Sequence, residues 1–306
     1  MPAINWYPGH MKKTRELIQE NLKMVDAVIE VIDARIPYSS ENPMVAALRD
    51  EKPVIKILNK ADLADPELTQ AWMDYLEQQS GVKAIACDTD KANDVKRIIA
   101  ICKQLVPNKV GTGRQIKAMI MGIPNVGKST LINTLAGRAV ARTGDEPAVT
   151  KSQQLIKLDD DIMLYDTPGM LWPKVENENS GYRLAATGGI RDTAFDFADV
   201  ASYTAEYLMQ AYPELLKTRY KIEALPKTDW EFFEVAGRNR GCVRSGNQVD
   251  TYRMSEILIN ELRSAKLGRI TLETPAMTEA EELIVAEQRL AAEEKRIAKE
   301  EEKRRS

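Results

Sequence analysis

Gly122-Ile123-Pro124-Asn125-Val126-Gly127-Lys128-Ser129 follows the apolar run Ile116 to Met121 and opens a segment of helical character, Thr130 to Leu135. A glycine-rich turn between a strand and a helix aims several backbone N–H groups at one point, and the helix N-terminus adds partial positive charge there. Such a loop cradles phosphate oxygens. In it Lys128 is placed to neutralise the β and γ phosphates of a nucleotide and the Ser129 hydroxyl to ligate Mg2+, with Asn125, Val126, Gly127 and Thr130 completing the phosphate-binding turn. A glycine-rich turn with an incidental lysine is the alternative, and the strand before and helix after speak against it.

Working outward, short apolar runs at Ala27 to Ile32, Val54 to Leu58 and Val82 to Ala86 alternate with longer amphipathic segments. Leu155 to Leu158 and Ile162 to Tyr165 add two more, separated by the turn-rich Asp159-Asp160-Asp161. With Ile116 to Met121 this predicts an α/β fold, a doubly wound, mostly parallel six-stranded sheet with crossover helices. Asn59-Lys60-Ala61-Asp62 ends the second run, at the sheet edge where ligands bind. A carboxylate such as Asp62 can accept from both the ring N–H and the exocyclic amino group of guanine, a donor pair adenine lacks. That reading predicts a preference for guanine on the order of 10⁴. Asn59 would brace the loops and the stem of Lys60 would cover the base. Alone, the four residues could be a capped loop; beside Gly122 to Ser129 they become half of a nucleotide site. Cys87, in Ala86-Cys87-Asp88, occupies the place where a backbone amide meets the guanine oxygen.

Asp166-Thr167-Pro168-Gly169 ends the last run, which lets Asp166 reach Mg2+ through water and the Gly169 amide touch the γ phosphate. Thr150 is the candidate switch hydroxyl on the metal, with an ordinary strand-leading threonine as the other reading. Taken together these motifs describe a P-loop GTPase in rotated order, because the base-reading motif precedes the phosphate loop. Rotation preserves a sheet when the original ends are joined and the chain reopens elsewhere at the surface. After Asp-x-x-Gly, where many GTPases place a water-orienting glutamine, stand Met170 and Leu171.

Beyond about residue 180 the strand signals fade, and helices are predicted around Ala201 to Tyr212, Pro213 to Tyr220, Trp230 to Ala236 and Thr251 to Ser264. The expected organisation is a permuted GTPase domain over 1–178, a helical RNA- or ribosome-binding domain over 179–277 and a charged helical or disordered tail over 278–306. Arg238, Arg240 and Arg244 cluster among Gly237, Gly241 and Gly246, a basic loop suited to following a phosphate backbone. Arginines paired with nearby carboxylates remain the alternative. Trp230, Phe232 and Phe233 are read as core, not as stacking groups for bases.

Composition sets outer limits. The 306 residues carry a net charge of −3, so any nucleic-acid contact must come from a local patch. Cys87, Cys102 and Cys242 lack metal-ligand spacing, and reduced thiols are expected. No apolar run approaches the roughly 20 residues that span a bilayer, which predicts no membrane partner. The opening Met1 to Trp6 lacks the pattern of a secretory signal, and cytoplasmic residence is expected.

The chain closely resembles the circularly permuted GTPases of the YlqF/RbgA family, ribosome biogenesis GTPase A. The resemblance rests on Trp6-Tyr7-Pro8-Gly9-His10-Met11, Asp33-Ala34-Arg35-Ile36-Pro37, Asp166 to Gly169 followed by Leu171-Trp172-Pro173, and the Phe232 to Gly241 region. It implies a monomeric factor that binds GTP and GDP, docks on the immature large ribosomal subunit through ribosomal RNA and proteins, and hydrolyses GTP during late assembly. It also implies that His10 takes over the missing glutamine's work, a role suited to a side chain of ordinary pKa about 6.5. Helix capping or an RNA contact are the other readings of His10. Asn125 resembles the residue that helps hold K+ in potassium-activated GTPases, though a plain polar loop residue would look the same. Two further readings stay open: an RNA-binding module in which hydrolysis only resets binding, and a GTPase acting on another RNA.

Overall fold

The computed structural model describes residues 11–88, 91–141, 154–167 and 175–305. Its six strands are β1 (Ala27–Asp33), β2 (Val54–Asn59), β3 (Val82–Cys87), β4 (Ile116–Gly122), β5 (Gln154–Lys157) and β6 (Ile162–Asp166). They form one sheet in the order β3-β2-β1-β4-β6-β5, parallel throughout except for the antiparallel pair β5 and β6. Every residue of β1 and β2 is buried, which is why these strands read as near-continuous apolar runs and not as alternating ones. The β5–β6 turn closes on the Asp159 carboxylate, which accepts from the backbone N–H groups of Asp161 and Ile162 at 2.9 and 2.8 Å.

On one face of the sheet lie α1 (Met11–Met24), α3 (Pro43–Leu48) and α4 (Pro66–Leu76), with the single turn α2 (Pro37–Ser40) between β1 and α3. Ile18, Leu22, Val28, Ile32, Leu58 and Trp72 fill that layer. On the other lie α5 (Ala92–Leu105) and α6 (Lys128–Ala136), with Ile29, Val31, Ile57, Ile98 and Leu131 beneath them. Successive residues of β1 thus serve opposite layers, the period of two that a strand imposes. Each such side chain contributes about 1.5–3 kcal/mol when fully buried.

Five of the strands run one residue beyond the apolar runs that announce them, into Asp33, Asn59, Cys87, Gly122 and Asp166. Ladder pairing continues through these residues, so Asp33 lies opposite Asn59, and Asn59 opposite Cys87. A row of candidate site residues therefore stands on the carboxyl edge of the sheet.

Helices α7 (Glu178–Thr187), α8 (Phe197–Ala211), α9 (Pro213–Tyr220), α10 (Asp229–Asn239) and α11 (Thr251–Arg263) pack around Leu184, Leu208, Phe232, Leu258 and Leu262. The α8 helix begins earlier than its apolar pattern suggests because Asp196 caps it, accepting from the Ala198 N–H at 2.7 Å. The expectation that Trp230 belongs to the core is corrected: Phe232 and Phe233 are buried, but Trp230 is 65% exposed. At 100° per residue, two positions separate Trp230 from Phe232 by about 200°, onto the opposite side of α10.

After α11 the chain returns to the sheet. The Ile270 N–H donates to Leu63 O at 3.0 Å, the Leu272 N–H to Arg35 O at 2.8 Å, and Trp72 Nε1 to Glu273 O at 3.0 Å. The final helix α12 (Pro275–Arg305) then packs Thr278 and Val285 inward while Leu283, Leu290 and Ile297 face outward. No helix among the described residues is long and apolar enough to cross a membrane.

Candidate active site

Two loops that lie far apart in the chain meet at the carboxyl edge of the sheet. Asn59 is buried at the end of β2, and its Nδ2 donates to Val126 O at 2.7 Å. Lys60, held at φ +58°, sends its ammonium to Asn125 O at 2.7 Å and to the Asp33 carboxylate at 3.0 Å. The Ala61 N–H donates to Cys87 O at 3.2 Å, joining the loop after β2 to the end of β3. Asp62 stands exposed on the next turn, where its carboxylate is open to a ligand. Burial pushes the Cys87 thiol up to about 12, so this side chain is inert and only its backbone is available for recognition.

In the loop after β4, Asn125 and Gly127 have φ of +59° and +91°. These left-handed turns fold the chain back so that α6 begins at Lys128. A Cβ on Gly127 would lie 2.3 Å from Asn59 Nδ2, and one on Gly122 would lie 2.6 Å from Val31 O. Both glycines are thus required by close approach. Val126 anchors the turn in the core, whereas Ser129 is half-buried and Thr130 exposed at the start of α6.

Lys128 is ion-paired to one oxygen of Asp166, both groups being buried. Asp166 Oδ2 has no hydrogen-bond partner among the described residues. A wholly buried carboxylate oxygen without a donor is costly in a folded chain and suits a cation or its water shell. The neighbouring Thr167 is pinned by its hydroxyl to Ile120 O at 2.8 Å, which fixes the exit from β6 against β4. His10, Thr150, Gly169 and Met170 lie outside the described residues.

A family model described as a 50S ribosome-binding GTPase matches residues 117–225. Ribosome biogenesis GTPase A of Priestia megaterium is 46% identical over 285 residues, covering 90% of this chain and 99% of that protein. Its counterpart from Bacillus cereus is 47% identical over 280 residues, covering 89% and 94%. Among solved structures, GNP-bound YlqF from T. maritima superposes with a TM-score of 0.59 at 26% identity, covering 86% of this chain and 98% of that one. The chain belongs to the ribosome biogenesis GTPase A family. It is accordingly a GTP-hydrolysing enzyme on a P-loop α/β fold.

Several contacts of this GTPase have no signature in the motifs, and Arg263 and Arg269, which as sequence could extend the basic patch, turn instead onto backbone carbonyls. The carbonyls at the end of α7 are gathered by three side chains from three parts of the chain. Asn125 Nδ2 donates to Gly188 O at 3.0 Å, Arg35 Nη2 to Thr187 O at 3.2 Å, and Arg263 to Ala185 O and Ala186 O at 2.8 and 3.1 Å. Helix ends leave such carbonyls without partners, and cationic or amide donors are their natural complement. A cavity of about 800 Å³ lies at this junction, lined by Arg35, Lys60, Asn125, Gly188, Arg191 and Arg263. Arg269 likewise donates to Ala61 O and Ala64 O, both at 2.9 Å, bracing the loop that carries Asp62. The one signal available in the sequence was the charged pair Asp33 and Arg35 directly after an apolar run.

The arginine cluster is placed elsewhere in the molecule, on α10 and the loop after it. Arg238 stands 3.4 Å from Glu234, Arg240 2.5 Å from Glu261 and Arg244 2.8 Å from Asp250. Glu261 also accepts from Arg219 and Tyr220, so Arg240 belongs to a partly buried network. Arg238 and Arg244 are 48% and 64% exposed at the side chain.

Proposed function

We propose that this GTPase binds GTP across the junction of the two loops, docks on the immature large ribosomal subunit and uses hydrolysis in its late assembly. The observation that carries the nucleotide reading is the pair of hydrogen bonds from Asn59 and Lys60 to the carbonyls of Val126 and Asn125. They hold the base-reading loop against the phosphate loop, as one ligand spanning both requires. In this reading Asp62 accepts from guanine, the Lys60 stem covers the base and the Cys87 amide approaches the guanine oxygen. The amides of Val126, Gly127, Ser129 and Thr130, with the Lys128 ammonium and the Gly169 amide, take the phosphates.

The described residues fit a magnesium ion: Asp166 offers a buried oxygen without a donor among them and Ser129 a hydroxyl at the head of α6, and Thr150 is assigned as the further ligand. Bound there with the phosphates, the ion would supply charge neutralisation for phosphoryl transfer. Asn125 is oriented by its Nδ2 bond to Gly188 O, which leaves its side-chain oxygen for K+. His10 would orient the attacking water in place of the glutamine that Met170 displaces.

The partner reading is supported by the names of the relatives and by the appended helical region, residues 179–277, which we assign to ribosomal RNA and protein. Exposed surface ion pairs contribute only about 0–1 kcal/mol, so Arg238 and Arg244 can exchange their carboxylates for RNA phosphates; Arg240 would hold the loop in shape while doing the same more weakly. GTP turnover by the purified chain in potassium buffer tests the reading. Immature large subunits are expected to accelerate turnover at least tenfold, and equal rates with and without them would contradict it.

A further inference from the structure

Asp33 and Arg35, at the end of β1, form a compact ion pair that the phosphate and base motifs do not account for. The Arg35 guanidinium is 2% exposed and forks over the carboxylate, Nε to Oδ1 at 2.9 Å and Nη2 to Oδ2 at 2.7 Å. The Arg35 N–H donates to the same Oδ1 at 3.1 Å. Burial alone would raise an aspartate, yet the charges of Arg35 and Lys60 hold Asp33 well below the usual carboxylate range. Asp33 is therefore a fixed anion at neutral pH, and its Oδ2 also receives the Lys60 ammonium.

Lys60 is thus gripped from two sides, by Asp33 and by Asn125 O, with its backbone already in the left-handed conformation. A lysine side chain ordered from a mobile state forfeits rotamer freedom. Here the carboxylate imposes that order through the fold itself, so a ligand lying against the lysine stem meets a surface already formed.

We propose that Asp33, locked by Arg35, is a positioning residue for the nucleotide: it holds the Lys60 stem where the guanine ring lies. The inference rests on the reading of Lys60 as the cover of the base. Because Arg35 Nη2 also donates to Thr187 O, the same ion pair ties the base-binding loop to the end of α7.

A thermodynamic cycle on the full-length protein tests this, read as the dissociation constant of a fluorescent GDP. The variants are Asp33→Asn, Lys60→Met and their combination. A second route, Asp33→Asn with Arg35→Gln, leaves no unpaired buried charge and guards against misfolding of the single variant. Loss of Asp33 by either route is expected to weaken GDP about tenfold when Lys60 is present and less than twofold in the Lys60→Met background, as for residues acting through one another. An equal loss in both backgrounds would overturn the positioning role alone. Unchanged affinity in Lys60→Met would overturn the reading of Lys60 on which it stands.

Discussion

Gly127 carries two constraints at one atom. Its φ of +91° is costly for any residue with a Cβ, by about 1–2 kcal/mol or more, and the added carbon would displace Asn59 Nδ2 from 2.3 Å. Displacing it breaks the bond to Val126 O and leaves that buried pair unmet, a further cost of about 1–3 kcal/mol. Gly127→Ala is therefore expected to lower the melting temperature by roughly 3–8 °C, since each kcal/mol is about 1.5 °C in a chain of 306 residues. It is also expected to weaken guanine nucleotides about a hundredfold, because the strain sits between the two loops. Calorimetric melting and nucleotide titration of the same preparation check both. At this scale the sequence was highly legible: glycine, lysine and serine at fixed spacing have few other uses. Asp33 was not, because nothing in its neighbours along the chain says that its carboxylate meets a lysine 27 positions on.

The elements show where periodicity stops being informative. β1 and β2 were recognisable because burial on both faces selects unbroken apolar runs, and the ends of five strands were missed by one residue because ladder pairing does not require apolar side chains. The α7 helix was harder still. Its Arg183 is buried against Glu273 at 3.3 Å and against Glu281 at 2.5 Å, partners 90 and 98 residues away in the returning strap and α12. Glu273 is fully buried and also accepts from the Ser39 N–H at 2.9 Å. Burial pushes its carboxyl up to about 7 against the opposing pull of Arg183. A carboxyl raised on folding adds stability that is complete below its ordinary value near 4.5 and is lost as pH rises through about 7. Between pH 5.5 and 7.5 this group alone is expected to remove about 1–2 kcal/mol. Denaturant unfolding at the two pH values should show that loss in the unaltered protein and a smaller one in Glu273→Gln; an identical loss in both would place the effect elsewhere.

For the whole molecule, the order of motifs along the chain and their order in space are separate facts. Asn59 to Asp62 come first in sequence and Gly122 to Ser129 second, yet β2 and β4 flank β1 in one sheet and their loops touch. The rotation was legible because motifs can be counted along a chain. The strap that runs back over the Asp62 loop was not, since it depends on contacts without a local pattern, whereas the pairing of Arg238, Arg240 and Arg244 with carboxylates is the alternative the sequence had left open. What unites the molecule is one claim, that Asn59 to Asp62 and Gly122 to Ser129 grip opposite ends of the same guanine nucleotide. Titration calorimetry of Asp62→Ala with GDP and ADP tests it most directly. The account requires GDP affinity to fall by about 10² or more, with ADP affinity little changed, as expected when a buried donor pair loses its acceptor. An unaltered preference for GDP over ADP would contradict it.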